Sequence, residues 1–200
     1  MYITCLDMEG VLTPEIWIEF SKESGIPELS RTTRDEPDYE KLMHWRMGVL
    51  RQHGMGLREI QKTVARIDPL PGARAFLDEL RSFSQVIIIS DTFEQFALPL
   101  MEKLGFPTLF CHSLVMDEQN FICGMKLRCD ENKPATVRAL KSIGFDIVAA
   151  GDSYNDLGML RAADSAFLFR TTEAIRQQCP DIPAYTQYGE LLTAIRKAIR

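Results

Sequence analysis

The chain has 200 residues, of which 46% are hydrophobic and 26% are charged, and its formal net charge is −5. This length suffices for one hydrophobic core with a modest insertion, and the composition is ordinary for a globular protein. Because the chain is acidic and has no basic run, we expect it to bind neither nucleic acid nor an anionic membrane. The longest plainly apolar stretch, residues 86–89, is far too short to span a bilayer.

The cysteines and the N-terminal segment bear on the cellular compartment. Five cysteines, an odd number with no C-x-x-C pair, favour reduced thiols. The sequence begins directly as a predicted strand and shows no signal-peptide pattern. We therefore expect a cytoplasmic protein.

A short apolar strand, residues 2–6, leads into two carboxylates, Asp7 and Glu9, and then into Gly10. Alternation along the strand places both acids on one side if the pleat continues that far. The glycine permits a tight turn and a close approach to a ligand. This pattern predicts a nucleophile or metal ligand paired with a general acid–base residue, although a turn with a helix-capping aspartate has the same pattern.

A helical insertion is predicted next, with helices at residues 14–24, 39–52 and 57–67. Thr13 is the expected N-cap of the first helix, and a polar connection over residues 27–37 precedes the second. We predict a small helical cap over residues 15–69, inserted into a core formed by residues 1–14 and 70–200. Both tryptophans, Trp17 and Trp45, are expected to pack inside the cap.

From residue 72 onward, predicted helices and strands alternate. The helices are expected at residues 73–83, 93–104, 133–143, 157–163 and 188–199, and the strands at residues 85–89, 109–111, 146–150 and 165–169, with a hairpin formed by residues 112–116 and 121–127. The β-branched run in the strand at residues 85–89 is typical of a central parallel strand covered on both faces. The alternation predicts an α/β fold with a doubly wound parallel sheet.

Polar residues follow two of these strands, just as Asp7 follows the first. Ser90 comes directly after one strand, and Asp152 comes after another. Because the carboxyl ends of parallel strands meet at one edge, we expect these residues side by side where such sheets bind ligands. Each of them also fits a plain turn or helix-capping residue, but their coincidence at one edge favours a functional site.

These residue types suit phosphoryl transfer. Asp7 can accept a phosphoryl group as an aspartyl phosphate, while the Glu9 side chain protonates the leaving group and later activates water. Mg²⁺ prefers hard oxygen ligands, and Asp7, Asp152 and the backbone carbonyl of Glu9 can supply them. Ser90, before a helix, can hold phosphate oxygens, and Lys133 can serve as a point charge for the phosphate.

The chain resembles the haloacid dehalogenase (HAD) phosphatases at four motifs: Asp7-x-Glu9-Gly10-Val11-Leu12, Ser90-Asp91, Lys133, and Gly151-Asp152-Ser153-x-Asn155-Asp156. The insertion after the first motif is similar to the cap of the phosphoserine phosphatase subgroup. The resemblance implies a HAD-like Rossmannoid core, Mg²⁺ dependence and hydrolysis of L-phosphoserine to L-serine. It also implies phosphoryl transfer to L-homoserine. Most of the family has aspartate where this chain has Glu9, and we hypothesise that the longer side chain slows attack by water.

The same resemblance assigns substrate recognition to the cap. It implies that Glu15 holds a substrate ammonium and that Arg46 pairs with a substrate carboxylate. On sequence alone, Glu15 also fits an acidic helix start and Arg46 a surface arginine. The resemblance further implies that Asp91 and Asn155 contact the substrate or its phosphate. Asp156 is expected to support the metal ligands, and the three scattered histidines are expected at the surface or in packing.

Other interpretations remain open at this point. The substrate can be another small phosphomonoester, such as a sugar phosphate, a nucleotide or pyridoxal phosphate. A receiver-type signalling module also phosphorylates an aspartate, but such modules are shorter, lack the insertion and carry adjacent acids at the first strand. A binding protein with a relict site is the third alternative. We expect small-molecule substrates, and the exposed cap surface is compatible with a homodimer.

Overall fold

The computed structural model describes residues 1–32, 35–36 and 38–199. Within these residues, one sheet is formed by the strands β1 (Tyr2–Leu6), β2 (Gln85–Phe93), β3 (Thr108–Met116), β4 (Ile122–Lys126), β5 (Asp146–Gly151), β6 (Ser165–Phe169) and β7 (Ala184–Tyr185). The helices are α1 (Ile16–Ser24), α2 (Tyr39–Gln52), α3 (Leu57–Val64), α4 (Ala73–Arg81), α5 (Glu94–Lys103), α6 (Asn132–Ser142), α7 (Leu157–Ala162), α8 (Glu173–Gln178) and α9 (Tyr188–Ala198). No helix in this described part of the chain combines the length and apolarity needed to cross a membrane.

The strand order in the sheet is β4-β3-β2-β1-β5-β6-β7. Only the β3–β4 pair is antiparallel among these strands, and the other neighbours run parallel. In the register, Leu6 pairs with Ile88 on one side and with Ala150 on the other. The carboxyl ends of β1, β2 and β5 therefore meet at one edge, and the predicted doubly wound α/β fold is confirmed.

Alternation along the central strands explains why both faces of the sheet are covered. In β1, Leu6 belongs to one hydrophobic cluster, whereas Ile3 and Cys5 belong to the other. Neighbouring residues of β2 divide in the same way, with Ile88 in the first cluster and Ile89 in the second. Helices α4, α5 and α9 contribute to the first cluster, and α6, α7 and α8 contribute to the second. A continuous apolar run is what such a two-sided strand requires.

Helices α1, α2 and α3 lie between β1 and α4 in the chain, where the insertion was predicted. The bounds of α2 agree with the prediction, while α3 ends at Val64, earlier than expected. The cap packs on the first face of the sheet, because its Phe20 and Leu50 share a cluster with Phe76 of α4. Part of the predicted connection over residues 27–37 lies outside the described residues, at 33, 34 and 37. Before that part, Pro27–Ser30 forms a 3₁₀ turn.

The start of α1 differs from the prediction. Thr13 does not cap the helix, because its buried hydroxyl donates to the backbone oxygen of Met8 at 3.3 Å. Helix α1 begins at Ile16, and the Ile16 N–H donates to the side-chain Oε2 of Glu9 at 2.9 Å. A carboxylate seven positions earlier in the chain thus accepts one of the free N–H groups in the first turn of α1, which no local capping rule predicts.

Three further differences concern strands and short elements. The predicted short strand at residues 109–111 and the first hairpin arm form one continuous strand, β3, which pairs with β2 and then with β4. Strand β2 runs on to Phe93 instead of ending at Ile89, with a register shift between these two residues. Helix α8 and strand β7 were not predicted, because six and two residues are too few for a periodic pattern.

Candidate active site

The loop after β1 brings the first motif against the end of β5. The Asp7 N–H donates to the Ala150 oxygen at 3.0 Å, which anchors Asp7 beside β5. Gly10 has φ +78°, and a Cβ placed on it would lie 2.4 Å from Cγ of Asp152. Only glycine therefore fits both the backbone conformation and the space. The strand ends at Leu6, so the pleat does not continue to Glu9, whose carboxylate is instead fixed by its bond to α1.

The Lys133 ammonium lies among three carboxylates, one from the loop after β1, one from β2 and one from the turn after β5. Its Nζ is 2.9 Å from Oδ1 of Asp7, 2.6 Å from Oδ1 of Asp156 and 4.0 Å from Oδ2 of Asp91. Burial alone would lower the pKa of Lys133, but Asp156, Asp7 and Asp91 raise it well above its ordinary value. Lys133 is thus a fixed cation beside the predicted nucleophile.

Asp156 is fully buried and holds the loop that carries Asp152. Its Oδ2 accepts the backbone N–H groups of Asp152 at 2.9 Å and Ser153 at 3.0 Å, while its Oδ1 accepts from Lys133. A Cβ on Gly151 would lie 2.5 Å from the Cβ of Asp156, so the close approach also depends on a glycine. Both Asp156 oxygens are engaged, and the residue orients its neighbours.

Carboxylate oxygens of Asp7, Asp152 and Asp156 all lie within 4.8 Å of one another. Burial and the charge of Asp156 raise the pKa of Asp7, although Lys133 opposes the shift. Burial and Asp156 also raise the pKa of Asp152 to about 7. Since one lysine faces three acids, the cluster carries excess negative charge on hard oxygen donors. This donor set fits a divalent cation of the Mg²⁺ type, with Asp7 and Asp152 as the carboxylates not already saturated by protein donors.

Glu9 carries a partly buried carboxyl group whose pKa is raised. Burial and the charge of Glu15 raise the pKa of Glu9 to about 8. A carboxyl group with this pKa keeps its proton at neutral pH, which donation to a leaving group requires. Glu15 is exposed at the start of α1, and its charge also acts on Asp152 and Arg46. The structure therefore brings the predicted Glu15 to the rim of the same site.

Asp91 links the end of β2 to two other motifs. Its carboxylate accepts from Nδ2 of Asn132 at 3.3 Å and from Nδ2 of Asn155 at 3.2 Å. Nε2 of His112 lies 3.6 Å away. Burial would raise the pKa of Asp91, but the hydrogen bonds from these side chains and the charge of Lys133 lower it. Asp91 is therefore ionised, and the hydrogen bond that it accepts from Asn155 orients that side chain.

The preceding residue, Ser90, is buried beside Asp91. Its hydroxyl accepts the N–H of Thr92 at 3.2 Å, and its backbone oxygen accepts from Nδ2 of Asn132 at 2.9 Å. Ser90 lies within the extended β2, and the helix predicted to follow it begins as α5 at Glu94.

Sequence reasoning missed the role of His112. This side chain is only 5% exposed, and its Nδ1 accepts the backbone N–H of Arg128 at 3.1 Å. A neutral imidazole that accepts at Nδ1 carries its proton on Nε2, the nitrogen that faces Asp91. The sequence signal was a histidine inside a strand otherwise rich in apolar residues, but its partner depends on the β2–β3 register.

Arg46 is buried beneath the cap, so its interpretation as a surface arginine is wrong. Only 4% of the residue is exposed. Its Nη2 donates to the Arg31 oxygen at 2.6 Å, and its guanidinium lies 4.3 Å from the ring centroid of Trp17. Its Nε has no hydrogen-bond partner in the described part of the chain. Burial lowers the pKa of Arg46 to about 10. Within the described residues, no carboxylate forms an ion pair with this buried cation.

Tyr39 ties the first turn of α2 to the core. Its hydroxyl donates to the backbone oxygen of Asp91 at 2.9 Å. The far end of α2 is also anchored, because Arg51 forms an ion pair with Asp117 of the β3–β4 turn. Arg46 lies between these two anchors, and its helix is thereby held over the strand ends.

Comparison with known proteins identifies the family. The sequence pattern of the haloacid dehalogenase-like hydrolases matches residues 7–161. The chain belongs to this family. The match contains all four motifs that suggested it, and the resemblance drawn from the sequence is confirmed.

Two curated relatives of this HAD hydrolase are similar over almost its whole length. Phosphoserine phosphatase ThrH of Pseudomonas aeruginosa is 47% identical over 198 residues, which cover 99% of this chain and 97% of that protein. A phosphoserine phosphatase of Pseudomonas syringae pv. tomato is 47% identical over 196 residues, which cover 98% of this chain and 83% of that protein.

Solved structures agree on the fold. A phospho-aspartyl intermediate analogue of a phosphoserine phosphatase superimposes with a TM-score of 0.77 at 21% identity, covering 96% of this chain and 98% of that chain. A substrate-bound phosphoserine phosphatase complex gives the same TM-score at 20% identity, covering 96% of this chain and 97% of that chain. At these identities the likeness establishes the HAD-like fold.

Proposed function

We propose that this HAD hydrolase is a Mg²⁺-dependent phosphatase that hydrolyses L-phosphoserine to L-serine. We further propose that it transfers the phosphoryl group to L-homoserine. The extensive similarity to two proteins named phosphoserine phosphatase supports the substrate class. The protein would act on small molecules in the cytoplasm.

The observation that carries the substrate assignment is the buried guanidinium of Arg46. A buried cation without a carboxylate partner is costly, and an arriving anionic group removes that cost. Arginine binds carboxylates through paired N–H groups, so a substrate carboxylate suits this position. Glu15, exposed at the rim, would hold the ammonium of the same substrate. One cation and one anion at the cap match an amino-acid phosphate better than a sugar phosphate.

Phosphoryl transfer would begin at Asp7. A carboxylate oxygen of Asp7 attacks phosphorus, the new O–P bond forms, and the ester O–P bond to the serine oxygen breaks. The Glu9 carboxyl donates its proton to the leaving oxygen, so serine departs as a neutral alcohol. Lys133, with Ser90 and Asn155 at the neighbouring strand ends, would hold the phosphate oxygens during this step.

The second step would reverse the proton movement. Glu9, now a carboxylate, takes a proton from water or from the hydroxyl of L-homoserine. The resulting oxygen attacks phosphorus, and the bond to Asp7 breaks to regenerate the free carboxylate. Water yields inorganic phosphate, whereas homoserine yields its phosphate ester.

Asp7, Asp152 and the backbone carbonyl of Glu9 are the proposed Mg²⁺ ligands. The bound ion would neutralise charge on the phosphoryl oxygens. Asp156 would orient this set through the backbone of Asp152, as its hydrogen bonds suggest.

Phosphorus NMR of a reaction with L-phosphoserine and Mg²⁺, run with and without L-homoserine, tests the proposal. We expect inorganic phosphate alone in the first reaction and an additional homoserine phosphate signal in the second. Phosphate alone in both reactions would refute transfer and leave hydrolysis. Turnover of p-nitrophenyl phosphate without turnover of L-phosphoserine would refute the substrate assignment.

A further inference from the structure

We propose that Trp17 is a positioning residue for Arg46 and thereby sets the preference for substrates that carry a carboxylate. This inference rests on the proposed function, because it assumes that Arg46 receives the substrate carboxylate. The inference gives the Trp17 side chain of α1 a role in substrate specificity in addition to its packing in the cap.

The hydrogen bonds of Arg46 do not by themselves fix the orientation of its guanidinium, and the indole ring of Trp17 does. Among the described residues, Arg46 donates to one oxygen, the Arg31 carbonyl at 2.6 Å, and its Nη1 meets the Met43 sulfur at 3.7 Å. A single strong hydrogen bond leaves a guanidinium free to rotate about that contact. The Trp17 ring lies 4.3 Å from the guanidinium carbon and supplies a flat surface that fixes the plane of the group. The buried Nε finds no acceptor among the described residues, so the guanidinium keeps an unused hydrogen-bond donor.

The indole is itself held from two sides. Its ring meets Phe96 edge-on, with centroids 5.1 Å apart and an interplanar angle of 63°. Phe20 of the same helix lies 6.1 Å away at 71°. Phe96 is 1% exposed and belongs to α5 of the core, so the wall behind Arg46 is fixed relative to the sheet as well as to the cap. The aromatic ring that faces Arg46 is therefore held by contacts with both the core and the cap.

A guanidinium that is already ordered loses less conformational freedom when a carboxylate binds. Removal of the indole leaves the cation in place but lets it take other orientations, so binding of the carboxylate becomes weaker. Chemistry at Asp7 does not depend on this contact. The effect is therefore expected in KM for a carboxylate substrate and not in the turnover of a phosphate ester that lacks one.

The test compares Trp17→Leu with wild type on L-phosphoserine and on p-nitrophenyl phosphate, which has no carboxylate. We expect kcat/KM for L-phosphoserine to fall by about fivefold to thirtyfold, mainly through KM, the range of a desolvated cation–π contact. Turnover of p-nitrophenyl phosphate should stay at the wild-type value, which also shows that the variant is folded. Trp17→Phe keeps an aromatic face and should recover part of the loss.

Trp45→Leu is the matched control. Trp45 also carries an arginine over its ring, Arg31 at 5.2 Å, in the same cap. Its removal should leave the ratio of the two kcat/KM values unchanged. An equal change of this ratio in both leucine variants would assign the effect to general loosening of the cap and overturn the proposal.

A double-mutant cycle with Arg46→Met isolates the coupling. If Trp17 acts through Arg46, adding Trp17→Leu to Arg46→Met should not lower kcat/KM for L-phosphoserine further. Full additivity would overturn the inference. A wild-type enzyme that does not prefer L-phosphoserine over O-phosphoethanolamine, which lacks only the carboxylate, would instead refute the proposed function. The two failures are thus distinguishable.

Discussion

Lys133 and Asp156 form a buried ion pair directly beside the predicted nucleophile. Nζ of Lys133 lies 2.6 Å from Oδ1 of Asp156, and the two side chains are 2% and 0% exposed. The same Nζ contacts Asp7, while the second oxygen of Asp156 holds the backbone of Asp152. The pair therefore couples the nucleophile to the proposed metal ligand on the neighbouring strand.

The first prediction concerns Asp156→Asn, which removes the negative charge of Asp156 and keeps the size of its side chain. Asp156→Asn should raise the Mg²⁺ concentration required for half-maximal activity about 10–100-fold, because the support of a metal ligand is lost. It should also lower the free energy of unfolding by about 3–5 kcal/mol, since Lys133 loses a buried partner. Urea unfolding and a Mg²⁺ titration of activity measure both effects.

Asp181→Asn is the control for this prediction. Asp181 pairs with Arg161 at the surface, where both side chains are at least half exposed. Its loss should leave the free energy of unfolding close to the wild-type value, because exposed ion pairs contribute little, and should leave the Mg²⁺ titration unchanged. A Mg²⁺ titration of Asp156→Asn that overlays the wild-type curve would contradict the proposed role of Asp156.

The second prediction concerns the close approach of Gly10 to Asp152. Gly10→Ala and Gly25→Ala both place a side chain at positive φ, +78° and +70°, but nothing lies within 4 Å of a Cβ on Gly25. Both variants should lose roughly 1–2 kcal/mol of stability through the left-handed conformation. Only Gly10→Ala should also weaken Mg²⁺ activation, because its Cβ displaces the Asp152 carboxylate. Parallel Mg²⁺ titrations measure the difference, and equal curves for the two variants would contradict it.

The third prediction concerns the length of Glu9. Glu9→Asp withdraws the carboxylate from the N–H of Ile16, so stability should fall by about 1 kcal/mol, as for the loss of a helix cap. Because we hypothesise that the longer side chain slows attack by water, we expect the shorter acid to decrease the ratio of homoserine phosphate to inorganic phosphate. Phosphorus NMR gives that ratio directly. No change in the ratio would show that Glu9 does not control the choice between water and alcohol.

The fourth prediction separates the two nitrogens of His112. An asparagine amide overlaps the Nδ1 side of histidine, whereas a glutamine amide reaches the Nε2 side. His112→Asn should lower kcat/KM about 10–100-fold, because the charged Asp91 loses the Nε2 group that lies 3.6 Å from it. His112→Gln should retain more activity because it can still donate to Asp91. Both variants should be assayed on p-nitrophenyl phosphate, and equal losses would contradict the proposed contact.

Elements with a local cause could be predicted from the sequence. The bounds of α2 follow from regular apolar spacing and from Asp38, whose side chain accepts the N–H of Lys41 at 3.1 Å. The bounds of β1 follow from an apolar run that ends at a carboxylate. The juxtaposition of Asp7 and Asp152 follows from the parallel topology, because strand ends meet at one edge.

Features that depend on long-range contacts could not be predicted. Thr13 has the local pattern of an N-cap, but the hydrogen bond that the Ile16 N–H donates to the Glu9 carboxylate fixes the helix start instead. The contact of His112 with Asp91 depends on the β2–β3 register. The burial of Arg46 depends on packing among three cap segments that are far apart in sequence, which helical periodicity does not report.

The covalent step at Asp7 is the central claim, and chemical trapping tests it most directly. The enzyme is mixed with L-phosphoserine and Mg²⁺, quenched in acid within one turnover, and treated with borohydride, which reduces an acyl phosphate to an alcohol. Peptide mass spectrometry should find the reduced side chain at position 7, and Asp7→Asn should abolish it. Serine release with no reduced product at position 7, or with the product at another carboxylate, would contradict the mechanism.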